Sequence, residues 1–329
     1  MSLKSDSLTY SDSVNKTLEY LLSTDQSVIL IGQGVKSPWY VGSTCNGLVD
    51  KFGEERVIDT PVSENGITGA AVGASIAGLR PIVVHPRMDF MLYALDPIIN
   101  QAANWSFMSG GKSNTPVVIW GIVNRGGEQA AQHSQALYSL FAHIPGLKVI
   151  APSTPYDVKG LLISAVRDPN PVIFIDDRWL YNLCGDVPRD EYSIPIGKGI
   201  VRKKGNDVSL ISFSHTMHVA AKAVDEIEKE GISVELIDLR SIKPYDKDLL
   251  LETIQKTGRA VIVDGSWKTG SFSAEISAFL SEYAFEHLKS PIIRICLPDS
   301  PAPASRVLED EYYITSGRIV GSVKKMFSL

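Results

Sequence analysis

The chain has 329 residues, 44% hydrophobic and 21% charged, with 37 acidic against 32 basic side chains and a formal net charge of −5. That length exceeds one ordinary core and suits two domains with enough apolar material to bury both. The mild acidity, without any dense Lys/Arg block, excludes a phosphate-tracking stripe and hence a nucleic-acid partner.

Residues 1–16 mix Ser, Asp and Lys without an apolar core or an Arg-rich stripe, so no secretory or transit segment is expected. No apolar run nears the roughly 18 residues of a membrane span. Cys45, Cys184 and Cys296 are widely spaced and odd in number, with no CxxC. That pattern argues against a disulfide framework or a structural zinc site, and it reads as reduced thiols in a cytoplasmic protein.

Short β-branched runs alternate with helical patterns along the chain, the signature of a parallel sheet flanked by helices. Residues 27–31 form the first buried-strand pattern, and a helix is predicted over 41–52. Further strands are predicted at 82–84, 117–120, 148–150 and 172–175, with helices over 94–105 and 155–167. The second of these helices opens with Thr154 and Pro155, a good N-cap and N1 pair. Residues 184–205 have the Pro/Gly composition of a linker. A second alternating series then begins, with strands at 208–212, 233–238, 260–264 and 292–295 and helices over 217–229, 246–256 and 274–284. Residues 298–329 read as a packed tail ending in a short helix. The fold class is therefore α/β, two parallel-sheet domains over 1–190 and 191–329.

Three local patterns bear on chemistry. Gly32-Gln33-Gly34 follows the first strand, but the third glycine of a GxGxxG motif would fall at Ser37, so a strand-ending turn is the better reading. In residues 64–78, Gly66, Gly69, Ala70, Gly73, Ala74 and Ala77 place small residues along one side of a helix. Each glycine there costs up to about 1 kcal/mol relative to Ala, which suits either a tight helix contact or a group that must approach the backbone. Glu64, at the mouth of that helix, is either a charge complementing the dipole or a functional acid. His215 and His218 lie one turn apart without a third ligand, which is poor support for a metal.

The segments Asp59-Thr60-Pro61-Val62-Ser63-Glu64-Asn65-Gly66, 71–81, Gln132-His133-Ser134-Gln135, 145–152, 235–240, 272–276 and 298–308 together resemble the β subunit of the thiamine-diphosphate-dependent 2-oxoacid dehydrogenase E1 component, pyruvate dehydrogenase type. The resemblance runs nearly end to end and implies two domains of the transketolase type, a pyrimidine-binding domain and a C-terminal domain. It implies oxidative decarboxylation of pyruvate or a related 2-oxoacid, with acyl transfer to a lipoyl group. Glu64 then matches the acid that hydrogen-bonds the aminopyrimidine of thiamine diphosphate and favours the tautomer that removes the thiazolium C2 proton. The apolar face of Ile67, Ala70 and Ala71 would keep its proton available near neutral pH. Phe90 matches the aromatic that stacks on the pyrimidine, and His133 the histidine that assists acyl transfer. Gln33 stands near the cofactor where the family carries a carboxylate.

Residues 165–170 resemble a potassium loop, in which Ala165, Val166, Asp168, Asn170 and Val117 would offer mainly carbonyl oxygens. Read without the family, Asp168-Pro169-Asn170 is a turn after a helix. The chain has no Gly-Asp-Gly stretch to hold Mg²⁺ and the diphosphate. The resemblance therefore implies an E1 α subunit supplying that half of the site in an α₂β₂ assembly, with a lipoyl-bearing E2 acyltransferase as a further partner. Arg87 and Tyr93 depart from the family, and Arg87, three residues before Phe90, is expected either to face the substrate channel and select an anionic or unusual 2-oxoacid, or to form a surface or interface salt bridge. Half of a split transketolase-like carboligase and a non-catalytic scaffold subunit are the alternative readings.

Overall fold

The computed structural model describes residues 5–327. The first half contains β1 (Ser5–Thr9), α1 (Tyr10–Thr24), β2 (Val28–Gly32), α2 (Leu48–Phe52), β3 (Val57–Asp59), α3 (Glu64–Ile76), β4 (Arg80–His85), α4 (Ala103–Met108), β5 (Val118–Val123), α5 (Tyr138–His143), β6 (Lys148–Ile150), α6 (Pro155–Arg167), β7 (Val172–Asp177) and β8 (Cys184–Pro188). The second contains β9 (Ile200–Lys203), β10 (Val208–Ser212), α7 (Ser214–Lys229), β11 (Val234–Asp238), β12 (Ser241–Lys243), α8 (Lys247–Thr257), β13 (Ala260–Trp267), α9 (Phe272–Tyr283), β14 (Ile293–Leu297), α10 (Arg306–Tyr312) and α11 (Ser316–Phe327).

The first sheet runs β12-β6-β7-β5-β4-β2-β3 and the second β14-β13-β10-β11-β9, while β1 and β8 form a separate antiparallel pair. Central strands such as β2 (VILIG), β5 (VIWGIV) and β10 (VSLIS) are buried along their whole length. This is why they read as continuous apolar runs rather than alternating ones. The two α/β domains match expectation, with two refinements: β9 and β12 are antiparallel edge strands. Strand β12 also leaves the second series and completes the first sheet.

Alternate residues of each strand divide two cores, as period-two geometry requires. Leu30, Val84, Trp120 and Phe174 face α1 and α6, packing with Tyr10, Leu18 and Leu161. Ile31, Val83, Ile119 and Ile173 lie in one continuous cluster with Ile211, Ile237, Ile262 and Phe272 of the second half. The two sheets thus share a core. A third cluster packs α7 and α11 against the far face of the second sheet.

Two helices differ from expectation. Of residues 41–52 only α2 is helical, because Gly42 (φ 67°), Ser43 (φ 66°) and Gly47 (φ 72°) take left-handed backbone. A side chain at Gly42 would drive its Cβ into the Tyr181 ring, so this segment coils around an aromatic instead of continuing a helix. Residues 94–105 are helical but irregular: Met88–Ala94 is a 3-10 helix and Asp96–Ala102 a π-helix leading into α4. Such a π segment is a frequent mark of a functional region. Helix α6 starts as its sequence suggests, with Thr154 accepting a hydrogen bond from the Asp157 amide. Among the described residues no helix is long and apolar enough to cross a membrane, and Cys45, Cys184 and Cys296 are unpaired.

Candidate active site

In an open parallel sheet the crevice beyond the carboxyl ends of the strands is where ligands gather. In the first sheet β2, β4, β5 and β7 are adjacent and parallel. Their carboxyl ends deliver Gln33, the segment 86–90, the loop 124–134 and Arg178 to one edge.

Helix α3 begins beside this edge. The Ile67 amide donates to the Ser63 carbonyl at 2.9 Å, starting the helix with Glu64 in its first turn. A carboxylate there is favoured by the dipole. Glu64 is half-buried and, among the described residues, has no hydrogen-bond or ion-pair partner. One turn on, Thr68 Oγ1 lies 3.1 Å from His85 Nε2 at the end of β4. His85 is 1% exposed and its Nδ1 has no partner. Burial pushes its pKa down to about 4, so the ring is neutral at physiological pH.

Beyond His85 the chain turns through Pro86 and Arg87 into Met88–Ala94, which packs against α3. Phe90 on this turn meets His133 edge to face, with centroids 5.4 Å apart and planes at 90°. Such a contact holds two rings in fixed orientation. Asp89 ties the two segments together, its Oδ1 accepting from the Gln135 amide at 3.1 Å. Burial raises the Asp89 pKa, and its Oδ2 has no partner.

The loop carrying His133 is strained. Gly126, Gly127, Glu128 and Ala130 all have positive φ, and such backbone persists in non-glycine residues only where the surroundings enforce it. The enforcing contacts come from β7 and from the second half. Arg125 pairs with Asp177 at 3.0 Å and donates to the Gly265 carbonyl at 2.6 Å, while the Glu128 amide donates to Glu309 on α10 at 3.0 Å. The shared core and these bonds together fix the position of His133.

Gln33 is half-buried and donates to the Tyr40 hydroxyl at 2.7 Å. Arg87 is half-buried and donates to the Pro86 carbonyl at 2.9 Å and to Gln129 Oε1 at 3.3 Å, so it forms neither a surface ion pair nor any other salt bridge among the described residues. Tyr93 is 72% exposed.

The small-residue side of α3 faces outward. Gly66, Gly69, Ala70, Gly73 and Ala77 are exposed, and a Cβ built on Gly69 or Gly73 meets nothing within 4 Å. Nothing among the described residues demands glycine at these two positions. Ile67 and Ala71 do bury against the core, but Ala70 does not, so this chain alone supplies only part of an apolar wall around Glu64.

The turn after α6 lies at the opposite, amino-terminal edge of the sheet. Arg80 Nη1 donates to the carbonyls of Val166 at 2.6 Å and Asp168 at 3.4 Å. The Val117 carbonyl accepts from the Val172 amide at 3.0 Å, and the Ala165 carbonyl from the Asp168 amide at 3.3 Å. Asp168 pairs with Lys148 and also accepts from the Asn170 amide at 2.9 Å. These oxygens cluster but already have protein partners. No cluster of three or more His, Cys, Asp or Glu side chains suited to a metal occurs among the described residues.

Sequence reasoning missed Arg178, His85 and Asn124. Arg178 has a sequence signal in retrospect, an Asp176-Asp177-Arg178 run closing an apolar strand. His85 ends the apolar run of β4 and Asn124 follows that of β5, with no local pattern to mark either.

Residues 6–182 match the model of the transketolase pyrimidine-binding domain and residues 197–319 that of the transketolase C-terminal domain. The chain is 43% identical over 323 residues to the acetoin:2,6-dichlorophenolindophenol oxidoreductase subunit beta of Cupriavidus necator, covering 95% of each chain. It is 36% identical over 321 residues to the 2-oxoisovalerate dehydrogenase subunit beta of Bacillus subtilis, covering 97% of this chain and 98% of the other. It is 38% identical over 323 residues to the mitochondrial pyruvate dehydrogenase E1 component subunit beta of Dictyostelium discoideum, covering 97% and 91%. A solved split-gene transketolase, an inactive β4 tetramer, shares the fold at a TM-score of 0.80 with 21% identity over 98% of this chain and 99% of that one.

Proposed function

Because the chain belongs to the transketolase-type family, in the branch that holds the β subunits of 2-oxoacid dehydrogenase E1 components, we propose that it acts as such a β subunit, completing a thiamine-diphosphate site together with an α subunit. The observation that carries this reading is the unpartnered, half-buried carboxylate of Glu64 on a helix packed against the Phe90 turn, where Phe90 is braced by His133. A heteroaromatic ring needs a carboxyl group at a ring nitrogen and an aromatic face, and the donor set here fits that need.

When bound, thiamine diphosphate supplies the carbon nucleophile and electron sink for cleaving the bond between a 2-oxo carbon and its carboxylate. Glu64 holds a proton at the pyrimidine ring nitrogen, and the partner subunit closes the apolar surround that Ile67 and Ala71 begin. Phe90 orients the ring by stacking. His133, fixed edge-on to Phe90, would hold or donate a proton at the substrate oxygen and assist acyl transfer to a lipoyl group on an E2 acyltransferase. The neutral Gln33 keeps the site less acidic than a carboxylate would.

The exposed Gly69 and Gly73 leave room for close approach of an α-subunit helix in an α₂β₂ assembly, and the missing Gly-Asp-Gly assigns Mg²⁺ and the diphosphate to that subunit. The carbonyls of Val117, Ala165, Val166, Asp168 and Asn170 would hold K⁺ through their second lone pairs, as a structural ion remote from the chemistry. Three unpaired cysteines suit a reducing compartment such as the cytoplasm.

Co-expression with an α-type chain and assay with thiamine diphosphate, Mg²⁺ and a 2-oxoacid tests the reading. Glu64→Gln should lower kcat by roughly a hundredfold or more without changing the melting temperature. Full activity in that variant would leave the scaffold reading in its place.

A further inference from the structure

Arg87 and Arg178 follow β4 and β7, the two strands that flank β5 in the first sheet, and stand close enough for each charge to act on the other. Arg178 is also half-buried and donates to the Tyr40 carbonyl at 2.5 Å. Both Nε atoms are buried without a partner. Between them comes Asn124, one residue past the end of β5, 5% exposed and with its Nδ2 also unpartnered. The register Val123 to Asp177 across β5 and β7, and His85 to Gly121 across β4 and β5, brings the three residues to one edge.

The nearby acids bond other groups, and although Asp89 Oδ2 and Asp176 Oδ1 are also without a partner, burial pushes both acids towards the neutral form and neither pairs with Arg87 or Arg178. Asp177 is held by Arg125, Asp89 by the Gln135 amide, and Asp176 by the Trp120 indole at 3.0 Å and the Tyr181 hydroxyl at 2.7 Å. No ion pair involving Arg87 or Arg178 occurs among the described residues. Two guanidiniums and an amide whose buried donors lack acceptors form an anion recess, because leaving such donors unmet is the costly alternative. Gln129, which Arg87 contacts, lies four residues before His133, so the recess opens beside the Phe90 and His133 pair.

We propose that Arg87, Arg178 and Asn124 bind an anionic group that the substrate keeps, so that the preferred 2-oxoacid carries a second carboxylate or phosphate-like group. The carboxylate that leaves as CO₂ is a poor occupant. Two guanidiniums on it would stabilise the ground state more than the transition state, in which its charge disperses, and would slow the cleavage. This inference rests on the 2-oxoacid reading above and narrows it. It also sets this chain apart from a site built for a neutral hydroxyketone.

The test uses the reconstituted complex with 2-oxobutyrate, 2-oxoglutarate and phosphonopyruvate as substrates, together with calorimetric titration of the full chain with glutarate and butyrate. The expected result is a kcat/KM at least about tenfold higher for one of the two dianions than for 2-oxobutyrate, which of them telling a carboxylate from a phosphate-like group. Arg87→Gln and Arg178→Gln should each lower that preference roughly ten- to hundredfold through KM, since hydrogen bonds to charged groups carry that much. Activity on 2-oxobutyrate should fall less than activity on the preferred dianion, so the ratio of the two carries the test. A parent complex that prefers 2-oxobutyrate, or variants with an unchanged preference, overturns the recess and leaves the proposed function standing. Glutarate binding that depends on Arg87, in a complex inactive on every 2-oxoacid, would retain the recess and overturn the function.

Discussion

His85 offers the sharpest physical test of how the site is held together. The imidazole is 1% exposed, bonded only to Thr68, and its pKa falls from 6.5 to about 4 through burial. Between those values the unfolded chain binds the proton and the folded chain does not, so stability present above pH 6.5 is lost as the pH falls towards 4. The linkage reaches about 3 kcal/mol in full, of which about 2 kcal/mol is lost between pH 7.5 and pH 5. Other groups titrate over the same range, and a paired comparison cancels them. His85→Gln keeps a neutral, hydrogen-bonding side chain at every pH. Urea unfolding of parent and variant at both pH values should show the parent's advantage shrinking, or reversing, by about 2 kcal/mol on acidification. Parallel losses in the two proteins would show that His85 does not charge on unfolding and would refute the argument. The effect bears on function because the Thr68–His85 bond joins the helix of Glu64 to the strand that leads into Phe90.

Two further outcomes follow from the geometry. Gly73→Leu should leave the isolated chain at least as stable, by up to about 1 kcal/mol from helix propensity alone, yet weaken assembly with an α-type chain in sedimentation experiments; undiminished assembly would place the interface elsewhere. If K⁺ binds the turn after α6, the melting temperature should rise in KCl relative to choline chloride at equal ionic strength, and identical melting curves would remove the ion.

What could be read from the sequence followed the physics of burial. Strands enclosed on both faces, such as β2, β5 and β10, announce themselves as apolar runs, and α6 carries its own start signal in Thr154 and Pro155. Edge strands β9 and β12 lack such runs, since they are short and bounded on one side by solvent or loops. The expected helix over 41–52 failed because Gly42 and Gly47 act as left-handed turn points, which apolar spacing does not reveal. At the site, Glu64, Phe90 and His133 were visible through resemblance. That Phe90 and His133 touch depends on contacts from Arg125 and Glu309, which bridge distant parts of the chain. Arg178 and Asn124 gain meaning only from strand register, a property of pairing rather than of any local stretch.

Strand β12 has a consequence for how the protein is made. Residues 241–243 pair antiparallel with β6, and the Ala151 amide donates to the Arg240 carbonyl at 2.8 Å. The first sheet therefore keeps an open edge until residues far beyond its own segment have emerged from the ribosome. A nascent chain halted near residue 190 would present β6 with unmet backbone donors and acceptors, an invitation to intermolecular pairing. The two halves are two domains in architecture but one unit in biosynthesis, and expressing the first alone would yield aggregates rather than a soluble fragment.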